Sequence, residues 1–220
     1  MADFFWAPRP RPTRGPKPAL TLEQIADAAI AIADAEGLAA VSMQRVAADL
    51  GYTKMSLYRY LPGKVELVAA MLERALDPPP PIVGEWRRAL TDWATALLRA
   101  YGGHAWALEA STGRRPIGPN EVAWMERALV VLPPGLTGAE RLDAVATLAG
   151  HVRMIAGQAG GAESDLAAAM GMVVRDHAER YPAVVAALAD VAAHGGADDA
   201  FDFGLGRILD GLGVLVAQRV

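Results

Sequence analysis

The sequence predicts an all-α protein. Apolar residues recur at i, i+3, i+4 and i+7 in one segment after another, which is the helical period. Hydrophobic residues make up 53% of the 220, yet aromatics are only 6%. Much of that apolar content is alanine, which favours helices and their close packing. Helix punctuation supplies the third observation: hydroxyl caps at Thr21, Ser42 and Thr53, and stops at Gly37, Gly51, Pro62-Gly63 and the four-proline run Pro78–Pro81. No β-branched runs spaced by turn pairs compete with this reading. The length allows one large domain or two small ones.

Residues 7–18, APRPRPTRGPKP, carry five prolines, three arginines and a lysine. Such a segment cannot build a core, so 1–19 is expected to be a basic, mobile arm. It is equally readable as a disordered tail or as an arm that follows a groove or a phosphate backbone.

Thr21-Leu-Glu-Gln24 fits a capping box and opens the first helix, whose apolar face is Leu22, Ile25, Ala29, Ile32 and Ala33. Gly37 suits its C-terminal cap. A second helix starts at Ser42, with Met43, Val46, Ala47 and Leu50 on one face. Gly51 stops it, and Thr53 caps a third helix running to about Tyr60. A fourth follows Pro62-Gly63, with Val68, Met71, Leu72 and Ala75 on its apolar face. Beyond the proline run the expected helices cover 83–101, 105–111, 120–132, 137–160, 164–180, 182–194 and 200–217. The organisation is then 1–19 arm, 20–76 first domain and 82–220 second domain.

The net charge is −4, but it is unevenly spread. Residues 9–64 hold eight Lys/Arg against five Asp/Glu, and all three lysines (Lys17, Lys54, Lys64) fall there. Residues 65–220 hold thirteen Lys/Arg against nineteen Asp/Glu. A basic patch is often only solvated surface. Here it coincides with Ser42–Lys64, SMQRVAADLGYTKMSLYRYLPGK, where two short helices flank a glycine turn. In a helix-turn-helix the turn fixes two helices at a steep angle, one bracing on the backbone and the other entering the major groove.

Packing of Val46, Ala47, Leu50 and Leu57 onto the first helix leaves Thr53, Lys54, Met55, Ser56, Tyr58, Arg59 and Tyr60 as the presented set. Lys54 and Arg59 can neutralise phosphates or donate to guanine. Thr53 and Ser56 can donate to phosphate or base, and Met55 can lie on a thymine methyl. Tyr58 and Tyr60 offer phenolic donors. Ser42 and Gln44 sit at a helix N-terminus, where an anion is favoured. Double-stranded DNA is the expected partner, against the alternative of an ordinary amphipathic hairpin with a solvated face.

Val46-Ala-Ala-Asp-Leu-Gly51, Ser56-Leu-Tyr-Arg-Tyr60 and Leu61-Pro-Gly-Lys64 together resemble the TetR family of bacterial transcriptional regulators, in motif detail over residues 20–76. Residues 82–220 are similar only in helical character, and their last helix looks like the tetracycline-repressor-like subgroup. The resemblance implies a helix-turn-helix domain joined by a linking helix to a larger ligand-binding and dimerisation domain. It also implies a phosphate contact at Tyr58, the next aromatic position at Tyr60, and a lysine opening the fourth helix at Lys64. Leu61 departs from a common phenylalanine. Met55 stands where small residues or proline are frequent, so base preference does not transfer. The function so implied is a homodimeric repressor of a palindromic operator, released by a small-molecule effector. A regulator controlled by a protein partner, or a helical enzyme, are the alternatives.

The second domain offers its own pattern. Leu205, Ile208, Leu209, Leu212, Leu215 and Val216 form a stripe interspersed with Gly204, Gly206, Gly211 and Gly213. Glycine inside a helix costs about 1 kcal/mol each, which points to a close approach, in a dimer interface or within one subunit. Candidate effector-contacting residues are Trp93, His104, Trp106, Trp124, Met125, His151 and Met154, although aromatics and methionines on helices are more often core. Arg114-Arg115, in a Gly/Pro-bounded loop, reads as solvated.

Several classes are excluded or unsupported. The absence of cysteine removes disulfides and thiolate chemistry and fits a reducing cytosol. No window reaches the roughly 20 apolar residues of a membrane helix, and no secretory signal opens the chain. The histidines at 104, 151, 177 and 194 form no ligand-spaced pair, and no nucleotide loop is present. No catalytic residue, metal or cofactor is expected, and the expected location is the cytoplasm.

Overall fold

The computed structural model describes residues 3–6, 20–158, 169, 171–195 and 200–219, and the structured elements among them are helical. The arm at 7–19, residues 159–168 and 170, and Gly196–Asp199 lie outside the described residues. The chain divides into two compact units, Met1–Leu132 and Pro133–Val220.

The first unit begins with a single turn, α1 (Asp3–Trp6), whose Trp6 indole donates to the Ile117 carbonyl at 3.2 Å. Helix α2 (Leu22–Glu36) has the expected capping box: Gln24 N–H donates to Thr21 Oγ1 at 3.2 Å, and Thr21 N–H to Gln24 Oε1 at 2.9 Å. Ile25, Ala26, Ala29, Ile32 and Ala33 form its buried face. Gly37, at φ 85°, ends the helix and leads into a 3₁₀ turn, Leu38–Ala40. In α3 (Met43–Asp49) the Ser42 hydroxyl accepts from Arg45 N–H at 3.1 Å. Gly51 turns the chain with φ 72°, a region that costs other residues about 1–2 kcal/mol.

Helix α4 (Lys54–Leu57) is shorter than its periodicity implies, since residues 58–60 continue as turns. Pro62 disfavours helical conformation at Leu61, so the chain tightens. Tyr60 and Leu61 N–H both donate to the Leu57 carbonyl, at 2.9 and 3.0 Å. Leu61 itself is fully buried. The next helix, α5 (Lys64–Leu76), packs on α2 and also on α6 (Trp86–Gly102), α7 (Ala107–Ala110) and α8 (Pro119–Val131). Leu67, Met71 and Leu72 of α5 join Ile25, Leu57 and Leu90 in the core of this unit.

The start of α8 is capped from another helix. Its N-cap residue is Gly118, which has no side chain to offer, and Glu73 of α5 takes the role. Glu73 Oε1 accepts from Asn120 N–H at 2.6 Å, and the Glu73 carbonyl accepts from the Asn120 amide at 2.8 Å. Burial pushes the Glu73 carboxyl above its ordinary range, opposed by the backbone hydrogen bonds from Asn120 and Glu121. A Cβ at Gly118 would run into that carboxylate. Gly118→Ala is therefore expected to cost about 1 kcal/mol, because Glu73 must swing off the helix end. A melting curve indistinguishable from wild type would show that the cap adds nothing.

The second unit holds α9 (Gly138–Gln158), α10 (described over 171–176), α11 (Pro182–His194) and α12 (Ala200–Ala217). Only part of the helix expected at 164–180 is described; residues 177–180 are turns. Helices α9 and α12 pack together, burying Leu148, Val152, Leu205 and Leu209. A Cβ at Gly204 would strike the His151 ring, so this glycine permits their approach. The His151 ring stacks on Phe201 at 5.8 Å, and its Nε2 lies 2.9 Å from the Phe201 carbonyl. Arg219 forks onto Glu140 with both distances 2.6 Å. That guanidinium, helped by the Thr137 N–H and hydroxyl, holds the Glu140 carboxyl down at about 2. No described helix is long and apolar enough to cross a membrane.

Candidate nucleic-acid interface

Helix α3 braces α4 and is itself seated on α2. Met43, Val46 and Ala47 are buried, as is Leu57, the one inward side chain of α4. That burial turns Lys54 and Met55 of α4 outward and leaves Ser56 half-buried. Thr53, Lys54, Met55, Tyr58 and Arg59 are exposed, Met55 by 72%. The Met55 thioether beside Lys54 has the chemistry for apolar contact with a thymine methyl.

The side chains of this surface are partly organised already. Lys54 Nζ lies 5.5 Å from the Tyr58 ring centroid, a cation–π contact that holds both groups over the same part of the helix. Thr53 Oγ1 and Ser56 Oγ are 3.0 Å apart, so one hydroxyl hydrogen remains for an outside acceptor. Ser42 is exposed and accepts from Arg45, which leaves its own O–H to donate; Gln44 is exposed next to it. Arg45 is held away from this surface by Glu36 through bonds of 3.3 and 2.7 Å. Lys64 is exposed at the first turn of α5.

Tyr60 differs from its neighbours. It is half-buried, and its hydroxyl donates to the Leu20 carbonyl at 2.9 Å, tying the end of the recognition segment to the start of α2. Sequence periodicity places Tyr60 with Tyr58; the shortening of α4 after Leu57 separates them.

The candidate effector-contacting residues fall into distinct sets of contacts. Trp93 is 1% exposed and donates to the Trp124 carbonyl at 2.9 Å; the two rings meet edge to face at 6.2 Å. Trp124 donates in turn to the Leu76 and Asp77 carbonyls, at 3.2 and 3.0 Å. His104 Nδ1 and Trp106 Nε1 both meet Asp34 Oδ1 of α2, at 2.8 and 2.7 Å. Met125 and Met154 are exposed, on α8 and α9. On α12, Leu205 and Leu209 are buried against α9, whereas Ile208, Leu212, Leu215 and Val216 are half-buried. Asp34 had no distinguishing mark in the sequence, since a lone acid on a solvated helix face is commonplace. Among the described residues no metal-binding group of His, Asp and Glu is formed.

Two family models match the chain: "Bacterial regulatory proteins, tetR family" over residues 19–71, and "Tetracyclin repressor-like, C-terminal domain" over 78–216. The HTH-type transcriptional repressor DrrR1 of Streptomyces coeruleorubidus is 42% identical over 99% of this chain and 86% of its own. Two crystal structures of the TetR family protein ActR of Streptomyces coelicolor share the fold. The complex with (S)-DNPA has a TM-score of 0.76 at 28% identity, covering 90% of this chain and 98% of that one. The complex with actinorhodin has a TM-score of 0.75 at 26% identity, covering 91% and 99%. A helix-turn-helix presenting cations and phenols from a glycine turn, followed by a tetracycline-repressor-like helical domain along almost the whole remaining chain, places this protein in the TetR family of bacterial transcriptional regulators.

Proposed function

We propose that the protein is a repressor that binds a palindromic operator as a homodimer and leaves it when a small-molecule effector binds. The outward face of α4, with Lys54, Met55, Tyr58 and Arg59 exposed around a buried Leu57, carries the DNA-binding part of this reading. Gln44, Thr53 and Ser56 extend that surface, Ser42 and Lys64 flank it with donors to phosphate, and Tyr60 braces it. The full-length relative DrrR1 supports repression, and the ActR complexes support effector binding.

Dimerisation is supported by apolar surface that a single chain leaves open on the α9–α12 pair. Leu142 and Met154 on α9 are 52% and 53% exposed, and Phe203 and Val214 on α12 are 70% and 59% exposed. Gly206 and Gly211 have nothing within 4 Å of a would-be Cβ, so packing within the described chain does not require them. A second copy approaching along Ile208, Leu212, Leu215 and Val216 would use both features. A two-fold dimer sets recognition helices about 34–36 Å apart, hence two half-sites one helical turn apart.

The test is a footprint on the DNA upstream of the gene, repeated across salt concentrations. Lys54→Ala is expected to weaken binding about tenfold or more, since a dimer loses the contact twice, and Tyr58→Phe to weaken it less. Both should melt as wild type does. Absence of any protected region, or binding indifferent to salt, would defeat the repressor reading.

A further inference from the structure

We propose that Arg114, in the loop joining α7 to α8, contacts the DNA backbone beside Lys64 and so extends the interface beyond the helix-turn-helix; the proposal rests on the DNA-binding reading above. Two clefts at the foot of α5, of about 760 and 430 Å³, share Lys64, Val65, Arg114 and Arg115 in their walls. Arg114 and Lys64 therefore border the same concavities, although 50 residues separate them in sequence.

Lys64 and Arg114 share the lack of an ion pair among the described residues with Lys54, Arg59, Arg99 and Arg127, and bordering the same clefts is what sets the two apart. Arg45 is paired with Glu36, Arg74 with Asp27, Arg88 with Asp92 and Arg115 with Glu121. Lys64 and Arg114 are exposed and have no hydrogen bond or ion pair among the described residues. The clefts also hold two carboxylates, Glu66 and Glu109. Glu66 Oε2 lies against Gly63, 3.4 Å from where a Cβ would stand, so its charge answers the positive end of α5. Glu109 lies on α7 and lines only the smaller cleft.

The loop that carries Arg114 is held firmly by its neighbour. Arg115 forks onto Glu121 at 2.5 and 2.7 Å, and its guanidinium also donates to the carbonyls of Ala110, Ser111 and Pro116. One residue of the pair is thus an anchor, and the other projects. An anchored backbone removes the cost of ordering the loop on binding, so that only the side-chain freedom of Arg114 is lost in a phosphate contact. Through Arg115 and Glu121 this contact is also joined to α8.

Salt dependence reads the proposal directly, because each neutralised phosphate adds about 0.9 to the slope of log K against log salt. With full-length protein and the footprinted fragment, Arg114→Ala should flatten the slope by about two, one phosphate for each subunit. At about 0.15 M salt it should weaken binding roughly tenfold to thirtyfold. Arg114→Lys should restore most of the slope, and Arg99→Ala, an exposed arginine on α6, should leave it unchanged. A wild-type slope in a folded Arg114→Ala protein overturns the proposal, whatever happens to affinity. If the wild-type protein itself protects no DNA, the repressor reading fails first and this one with it.

Discussion

Trp93→Ala is expected to lower the unfolding free energy by about 3–5 kcal/mol, the range for deleting a buried indole. Trp93 is 1% exposed, so its removal leaves a cavity that the surrounding helices can fill only in part. Its N–H is already satisfied by the Trp124 carbonyl, and the edge-to-face contact with Trp124 is lost as well. Trp124 bridges onward to the Leu76 and Asp77 carbonyls at the end of α5, so the tryptophan pair ties α6, α8 and α5 together. Urea unfolding at fixed protein concentration should show a lower midpoint, with an m-value close to wild type. A loss under about 1 kcal/mol would mean that Trp93 is not a core residue but borders space already open. It would then return to the set of effector contacts.

The second large effect is expected at Asp34. One carboxylate oxygen serves both His104 Nδ1 and the Trp106 indole, and Trp106 is 3% exposed. Asp34→Ala leaves the Trp106 N–H without its partner, at a part-buried position where the Asp34 side chain is itself 41% exposed and water can enter the vacated space. A buried donor left orphaned costs about 1–3 kcal/mol, and with water able to replace Asp34 in part we expect about 1 here. Asp34→Asn keeps an acceptor oxygen and should recover about half of the loss. His104 Nδ1 faces the same carboxylate oxygen, at 2.8 Å. Because Asp34 lies on α2, which seats the helix-turn-helix, the Ala variant should also bind DNA less tightly than its stability loss explains. Equal stability of Asp34→Ala and wild type in urea would remove this clamp from the account.

Most residue types that act locally were readable in advance; Thr53 is the exception, standing at the N-cap of α4 without a side-chain cap bond because its hydroxyl meets that of Ser56. Thr21, Gln24, Ser42, Gly37 and Gly51 do in the structure what their chemistry demands, because a cap or a left-handed turn involves only near neighbours. The buried faces of α2 and α3 follow equally from the 3.6-residue period. Tyr60 was not readable in the same way. Its environment depends on where α4 stops, and that depends on Pro62 and on a carbonyl 40 residues away.

Arg114 and Arg115 make the same point more sharply, since adjacent identical residues in a Gly/Pro-bounded loop look alike on the page. Only folding brings Glu121 and three carbonyls to one guanidinium and leaves the other bordering the same cleft as Lys64. Trp93, His104, Trp106 and Trp124 were candidate ligand contacts because a large polar-edged ring suits a pocket and a core equally well. The acceptors that engage them, on Trp124, Asp34, Leu76 and Asp77, come from other helices.

The sequence alone determined the all-α class, the helix-turn-helix and the family, since periodicity, caps and the motif from Val46 to Lys64 are short-range facts. Tertiary structure decided which polar groups remain available to a partner. A hydrogen bond is only a few ångströms long, and its two ends here are separated by as many as 111 residues of chain.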